Sequence, residues 1–255
     1  MALGIWANQR YFLNKMSLRE LVFAYLTHHA IVTYLAGVAV GGILAAILTD
    51  SWAHTLLAAG LVIPIYPVVW YLLHRFVLHG RMLYKSPRTA VIWKRIHFDH
   101  HQDPNDLSVL FGALYTTLPT IAIIALPLGW AAGGAAGALA ALAMGLAVTC
   151  FYEFCHCIQH LPFAPRWQWL RDIKKLHLAH HFHNEAGNYG ITNFMADRVL
   201  GTFYGSPKGT SRSATVFNLG YTESEAKRYP WVARLSGVTP EDLNHRRPTR
   251  TAAGA

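Results

Sequence analysis

The placement of basic residues constrains this chain more than any other feature. All 22 Lys and Arg fall within residues 10–19, within residues 75–95, or from residue 166 onward, which leaves two long stretches with none. A soluble domain spreads its cations over its whole surface, whereas a chain that withholds them from such long runs does so where no water is present to solvate them. Composition agrees, with 53% of residues apolar and only 14% charged, an unusual balance for a soluble domain of this length. The net charge of +9 does not indicate nucleic acid, because the cations are not interleaved with exposed aromatics on a hydrophilic domain.

Each stretch divides into a helical hairpin. Residues 29–48 are uncharged and long enough to cross a hydrocarbon core of about 30 Å. Thr49, Asp50 and Ser51 make a turn, and a second run over 52–73 carries Pro64 and Pro67, which kink a helix but are tolerated in membrane bundles. The second pair, 107–130 and 135–154, is parted by Gly129, Gly133 and Gly134. The expected fold is all-α and polytopic, with four transmembrane helices in two hairpins and a cytosolic helical cap. In boundaries, 1–28 is a cytosolic N-terminal segment, 29–160 holds the membrane helices with a cytosolic loop over 75–106, and 161–255 forms the cap and tail of one integral-membrane domain. The outer turns carry no Lys or Arg, so the positive-inside rule puts both termini in the cytoplasm. Residues near Trp167, Trp169 and Leu170 are expected at the interface, and the tail after Asp242 is polar and loose. Residues 2–20 lack the pattern of a cleavable signal peptide. Cys150, Cys155 and Cys157 cluster in one apolar segment and read as packing residues.

Of the 15 histidines, ten fall in four tight clusters: HRFVLH at 74–79, HFDHH at 97–101, HCIQH at 156–160 and HLAHH at 177–181. Residues three and four apart share a helix face, so His97, His100 and His101 converge, as do His156 with His160, and His177 with His180 and His181. His74 and His79 are five apart, a spacing that requires either a distorted helix end or ligation of different metals. Every cluster stands at or just beyond the cytoplasmic end of an apolar run, so all four reach one depth. One metal accepts at most about six ligands, so ten imidazoles imply two metals with four or five histidines each. Iron is the choice where oxygen must be activated, and zinc is a possible substitute in purified protein. His28, His29, His54 and His245 belong to no cluster.

Ligating imidazoles need partners for their second nitrogen. The candidates are Glu153, Asp99, His183, Asn188, Asn193 and Asp197, with Asp103, Asp106 and Asn184 also near. Glu153 is the only acid in the fourth apolar run and precedes His156 by one helical turn. It either supports an imidazole or pairs with an arginine of the cap.

These four motifs, in this order and between these hairpins, resemble the fatty acid hydroxylase and sterol desaturase superfamily of membrane di-iron enzymes. The likeness covers roughly residues 69–204 and is nearest to the fatty acid 2-hydroxylase branch, through YLLHRFVLH, HFDHHQDPND, the HCIQH pair and HLAHHFHNEAGNYGITNFMADRVLGT. The resemblance implies metal ligation by His74, His79, His97, His100, His101, His156, His160, His177, His180 and His181. It also implies two metals and oxygen chemistry.

Hydroxylation of an unactivated chain consumes oxygen and two electrons. The sequence holds no dinucleotide fingerprint and no haem attachment motif, and it has too few cysteines for a four-thiolate cluster. No bound haem, flavin or nicotinamide is therefore expected, and electrons come from a separate donor protein. The basic loops suit an acidic redox partner or anionic lipid headgroups equally. A lipid substrate is expected to enter from the bilayer through an apolar cleft opened by kinks at Pro64, Pro67 and Pro119. A fatty acyl chain leads. A carotenoid or other isoprenoid ring, or a sterol-type desaturation, is the alternative within the class. A membrane metal-binding or transport protein is the alternative from another class, against which stand helix centres free of ionisable residues.

Overall fold

The computed structural model describes residues 10–244. His245, the first nine residues and the end of the tail, on which expectations were placed above, lie outside the described residues. Among the described residues the chain is helical and has no strand, with one isolated antiparallel bridge between Phe12 and Asp106.

The chain forms two compact units. The first comprises Val22–Val69 and Gly112–Cys155. Its elements are most of α1 (Leu18–Thr27), α2 (His29–Leu48), most of α3 (Trp52–Leu72) and most of α7 (Leu114–His160). Helix α1 was not anticipated from the sequence. Its start is marked by a capping box, in which the backbone N–H and hydroxyl of Ser17 both donate to Glu20 Oε2 at 2.7 Å and Glu20 N–H returns a bond to Ser17 Oγ at 3.3 Å.

Three helical segments are long and apolar enough to cross a membrane: His29–Leu48, Trp52–Lys85 and Leu107–His160. The third is far longer than one crossing requires. Helix α7 is interrupted at Gly133 and Gly134, the latter at φ 59°, and its two arms fold back on each other. Their approach is so close that a Cβ on Gly129 would stand 2.3 Å from the carbonyl oxygen of Gly137. Small residues make this possible, because lipid tails are as apolar as leucine and only tight packing or hydrogen bonds draw helices together. The same logic sorts the side chains. Ala45, Ala58 and Ala141 are buried, while Ile43, Ile47, Leu56 and Ile63 are exposed to where lipid would be. Hydrogen bonds add specific ties, from Tyr66 OH to Thr149 Oγ1 at 3.0 Å and from Tyr25 OH to the Cys150 carbonyl at 2.5 Å. Helix α3 continues through both Pro64 and Pro67. An apolar groove within this unit is lined by Val38, Gly42, Trp52, Thr55, Ala59 and Ala143 among others.

The second unit comprises Arg10–Leu21, Trp70–Phe111 and the chain from His156. Beyond Leu72 the helix widens into a π-helical turn, Leu73–Leu78, and a second one, Lys94–Phe98, follows α4 (Pro87–Trp93). The short helices α5 (Asp99–Gln102) and α6 (Leu107–Leu110) come next, the latter capped by Asp106, whose carboxylate accepts from Ser108 N–H at 2.9 Å. After α7 come α8 (Gln168–Phe182), α9 (Met195–Val199), α10 (Glu223–Arg228) and α11 (Trp231–Ser236).

An aromatic core holds this unit together. Tyr84, Trp93, Phe98 and Tyr221 are buried with Ala90, Ala226 and Val232, and the Tyr84 ring lies 5.1 Å from that of Tyr221. Trp93 Nε1–H donates to the Leu78 carbonyl at 2.7 Å, which ties the end of the first π-helical turn to the element that leads into the second. Truncating a buried indole of this kind costs about 3–5 kcal/mol. Trp93→Ala should therefore lower the unfolding temperature of the purified protein and impair metal retention, both measurable in a thermal scan with and without metal.

Candidate metal centre

The second unit brings all ten clustered histidines together in two groups of five. His74, His79, His97, His101 and His180 form one, and His100, His156, His160, His177 and His181 form the other. Within each group the five donor nitrogens lie within 4.8 Å of one another, and every ring is buried except the half-buried His79.

Helix geometry explains how four motifs make two groups. Pairs four apart point the same way, so His97 with His101, His156 with His160, and His177 with His181 each share a group. Neighbouring residues are turned about 100° from one another, which sends His100 and His180 across to the opposite group from their nearest companions. The triplets therefore divide rather than converge as units. His74 and His79 do converge, because the π-helical turn closes with His79 N–H donating to the His74 carbonyl at 3.0 Å. Their Nε2 atoms stand 3.2 Å apart. Of the two readings of this five-residue spacing, the helix distortion is the one observed.

The nitrogen spacing fits a metal. His97 Nε2 lies 2.8 Å from His79 Nε2, and the His100–His156 and His160–His177 Nε2 pairs are each 3.0 Å apart. Metal–imidazole bonds of about 2.1 Å put adjacent ligands about 3.0 Å apart at right angles. In addition, His180 Nε2 is buried without a hydrogen-bond partner, directed among four other imidazoles. Such an orphan is costly unless a cation receives its lone pair. The two groups touch, the His101 and His181 ring centroids being 4.2 Å apart.

Backbone carbonyls orient the first group. His74 Nδ1–H donates to the Tyr189 carbonyl at 2.6 Å, His180 Nδ1–H to Gly187 at 2.8 Å, and His101 Nδ1–H to Val216 at 2.9 Å. A carbonyl only accepts, so the proton sits on Nδ1 and the Nε2 lone pair is free to face a metal. The loop that presents two of these carbonyls is pinned from behind. Asp197, wholly buried, accepts from Tyr189 N–H at 2.8 Å, Gly190 N–H at 2.9 Å and Thr202 Oγ1–H at 2.8 Å. Asn188 sits at φ 55° and exchanges two bonds with the Tyr204 backbone at 2.9 and 3.0 Å. Gly190 has no room for a side chain, since a Cβ there would lie 2.1 Å from the Asn193 carbonyl.

The remaining candidates do other things. Both Asp99 oxygens accept from Lys94 Nζ, at 2.7 and 2.8 Å. Glu153 accepts from the Gly112 N–H at 3.1 Å within the first unit. Asn193 Oδ1 accepts from Met195 N–H, at the start of α9, at 3.2 Å, and Asn184 Nδ2–H donates to the Ser211 carbonyl at 3.0 Å. His183 lies in neither group; its Nε2 bonds the Thr210 carbonyl at 2.8 Å. The carbonyls of Gly187, Tyr189 and Val216 were not foreseen, because an amide carbonyl has no letter of its own. The run GNYG, with its small residues at a tight loop, was the available signal.

Burial, followed by the neighbouring imidazoles, holds His97, His100, His177 and His181 well below the ordinary histidine range. Burial lowers His180 to about 4 against a smaller opposing effect of the Gly187 carbonyl. These rings are neutral at physiological pH and need lose no proton to bind a cation.

The family model for fatty acid hydroxylases matches residues 58–202. The chain is 31% identical over 148 residues to the ceramide very long chain fatty acid hydroxylase SCS7 of Saccharomyces cerevisiae, an alignment covering 55% of this chain and 36% of that protein. It is 29% identical over 160 residues to the dihydroceramide fatty acyl 2-hydroxylase FAH2 of Arabidopsis thaliana, covering 60% and 65%. The chain thus spans less than two thirds of either relative. It is also similar to the solved structure of full-length Scs7p, in which only the hydroxylase domain is visible, with a TM-score of 0.62 and 25% identity over 74% of this chain and 69% of that one. An all-helical integral membrane protein with paired histidine groups that could hold metal is the class defined here. The chain belongs to the fatty acid hydroxylase family.

The depressed histidines fix the sign of one pH effect. A histidine whose folded value lies below its unfolded value near 6.5 contributes stability that is complete above that value. The contribution is lost as the pH falls toward the folded value, by up to about 1.4 kcal/mol per pH unit for each ring. The unfolding temperature of the metal-free protein should accordingly fall between about pH 7 and pH 5; a flat profile across that window would contradict burial of neutral rings.

Proposed function

We propose that this protein is an oxygen-dependent di-iron hydroxylase that inserts one oxygen atom into a fatty acyl chain, free or within a membrane lipid. The observation that carries this reading is the pair of touching five-imidazole groups, His101 against His181, in a chain of the fatty acid hydroxylase family. Iron bound in these groups supplies the oxygen-activating redox chemistry that an unactivated C–H bond requires.

The chain's own residues do the rest. His74, His79, His97, His101 and His180 hold one iron, and His100, His156, His160, His177 and His181 the other. The Tyr189, Gly187 and Val216 carbonyls keep His74, His180 and His101 in the Nδ1–H tautomer, so that the donor nitrogens are aimed before metal arrives. Asp197 and Asn188 keep that loop in place. Asn193 holds the Met195 amide at the start of α9, His183 holds the Thr210 carbonyl, Glu153 holds the Gly112 amide, and Asp99 is occupied by Lys94. Burial of nine of the ten rings excludes water and confines oxygen chemistry to the bound chain.

Each turnover consumes two electrons, delivered by a separate donor protein. The exposed Arg81, Lys85 and Arg88 suit an acidic donor. The topology that fits is four crossings, with the two arms of α7 as separate spans and both termini and the metal centre cytoplasmic.

Two measurements test this. Wild-type protein should carry two equivalents of iron, and His180→Ala and His177→Ala should each lose about one by metal analysis, since they strike different groups. Lipid mass spectrometry on cells expressing the wild type should show an acyl species heavier by one oxygen that is absent with His180→Ala. Unchanged acyl chains beside hydroxylated carotenoids would replace the acyl substrate with an isoprenoid, and no oxygen-dependent product in either pool would remove the enzymatic reading.

A further inference from the structure

Helix α9 faces two ways. Met195 and Val199 are four apart, share one face, and are 72% and 77% exposed, with Leu200 beside them at 47%. Asp197, on the opposite side, is wholly buried and grips the loop that carries the Tyr189 and Gly187 carbonyls. Large apolar side chains this exposed on a short helix are unfavourable in water and call for a cover.

The surroundings identify the cover. Arg75 Nη1 donates to the Leu200 carbonyl at 3.5 Å and to Tyr71 OH at 2.8 Å, and Tyr71 OH bonds Thr202 Oγ1 at 2.9 Å. These bonds attach the end of α9 to the segment that continues the membrane span Trp52–Lys85. On that segment Leu72 and Phe76 are exposed and apolar as well. Trp169, also exposed, donates Nε1–H to the Thr192 carbonyl at 3.1 Å just ahead of α9. A partly exposed indole is characteristic of a membrane interface. Arg198 lies over the Phe203 ring at 3.7 Å, and with Arg75 it supplies positive charge for lipid phosphates.

We propose that α9 is a tab seated in the bilayer interface, and that its seating, transmitted through Asp197, holds the loop that orients His74 and His180. The first half rests only on the chain's membrane character; the second rests also on the assignment of these histidines as metal ligands. Together they make one of the two metal positions depend on contact with lipid.

The test uses the full chain in vesicles of mixed neutral and anionic phospholipid, with the half-buried Cys150 replaced by Ala and the buried Cys155 and Cys157 left in place. An environment-sensitive fluorophore on Met195→Cys or Val199→Cys should emit as in an apolar medium and be quenched by a lipid-borne quencher. The same fluorophore on Lys208→Cys, an exposed site, should be quenched by aqueous iodide. Water-like behaviour at 195 and 199 overturns the seating. For the coupling, Val199→Asp should move the 195 probe into water, and from zinc-loaded protein half of the metal should pass to a chelator about tenfold faster or more, while the other half leaves at the wild-type rate. Unchanged release with the probe in water, or equal acceleration of both halves, overturns the coupling. The readouts do not require turnover, so they stand or fall independently of the substrate assignment.

Discussion

A buried imidazole has two nitrogens, and neither can be left to chance where water does not reach. Rings of this kind gathered in one unit would be a large unfavourable burden unless each lone pair met a proton or a cation. In the first group, three rings settle the question on their Nδ1 side by donating to backbone carbonyls, which leaves their Nε2 atoms converging on common points. The aromatic core around Trp93, the π-helical turns and the pinned loop at 187–190 can all be understood as means of holding rings at that spacing. The rings are held apart by about the distance that two ligands keep on one metal.

Much of this was legible in the sequence, for identifiable reasons. The apolar segments were readable because solvation forbids Lys and Arg in lipid, and the histidine groups were readable because their clusters are conspicuous by letter and spacing. The turn at Thr49–Ser51 and the break at Gly133–Gly134 fall where residue type demanded them. The division of HFDHH and HLAHH between two groups follows from the rotation per residue, but it required knowing that two targets lie on either side of each helix. The five-residue spacing of His74 and His79 left two answers open, since the letters do not say whether a backbone will widen.

What the sequence hid was mostly backbone. Acidic and amide side chains seemed the natural partners for imidazole nitrogens, and Asp197 and Asn188 do serve the site, but at one remove, by holding a loop. Asp99 is engaged by Lys94, five residues earlier, a pairing that an ordinary helix does not make and that the π-helical turn at Lys94–Phe98 brings about. Glu153 bonds the amide of Gly112, a partner 41 residues away that no periodicity reveals. Helix α1 starts at a capping box spelled by Ser17 and Glu20, a local signal that the mixed polar and aromatic composition of the stretch obscures.

The π-helical turn at Leu73–Leu78 carries a consequence for how such sequences can change. Its extra residue relative to an α-helical repeat is absorbed locally, and the two histidines still meet. A chain lacking that residue would bring the same pair together in an ordinary helix, at four apart. The number of residues between the two histidines is therefore exchangeable against the local form of the helix. A motif that looks like a fixed word is thus one half of a pair, and the other half is the pitch of the backbone that carries it.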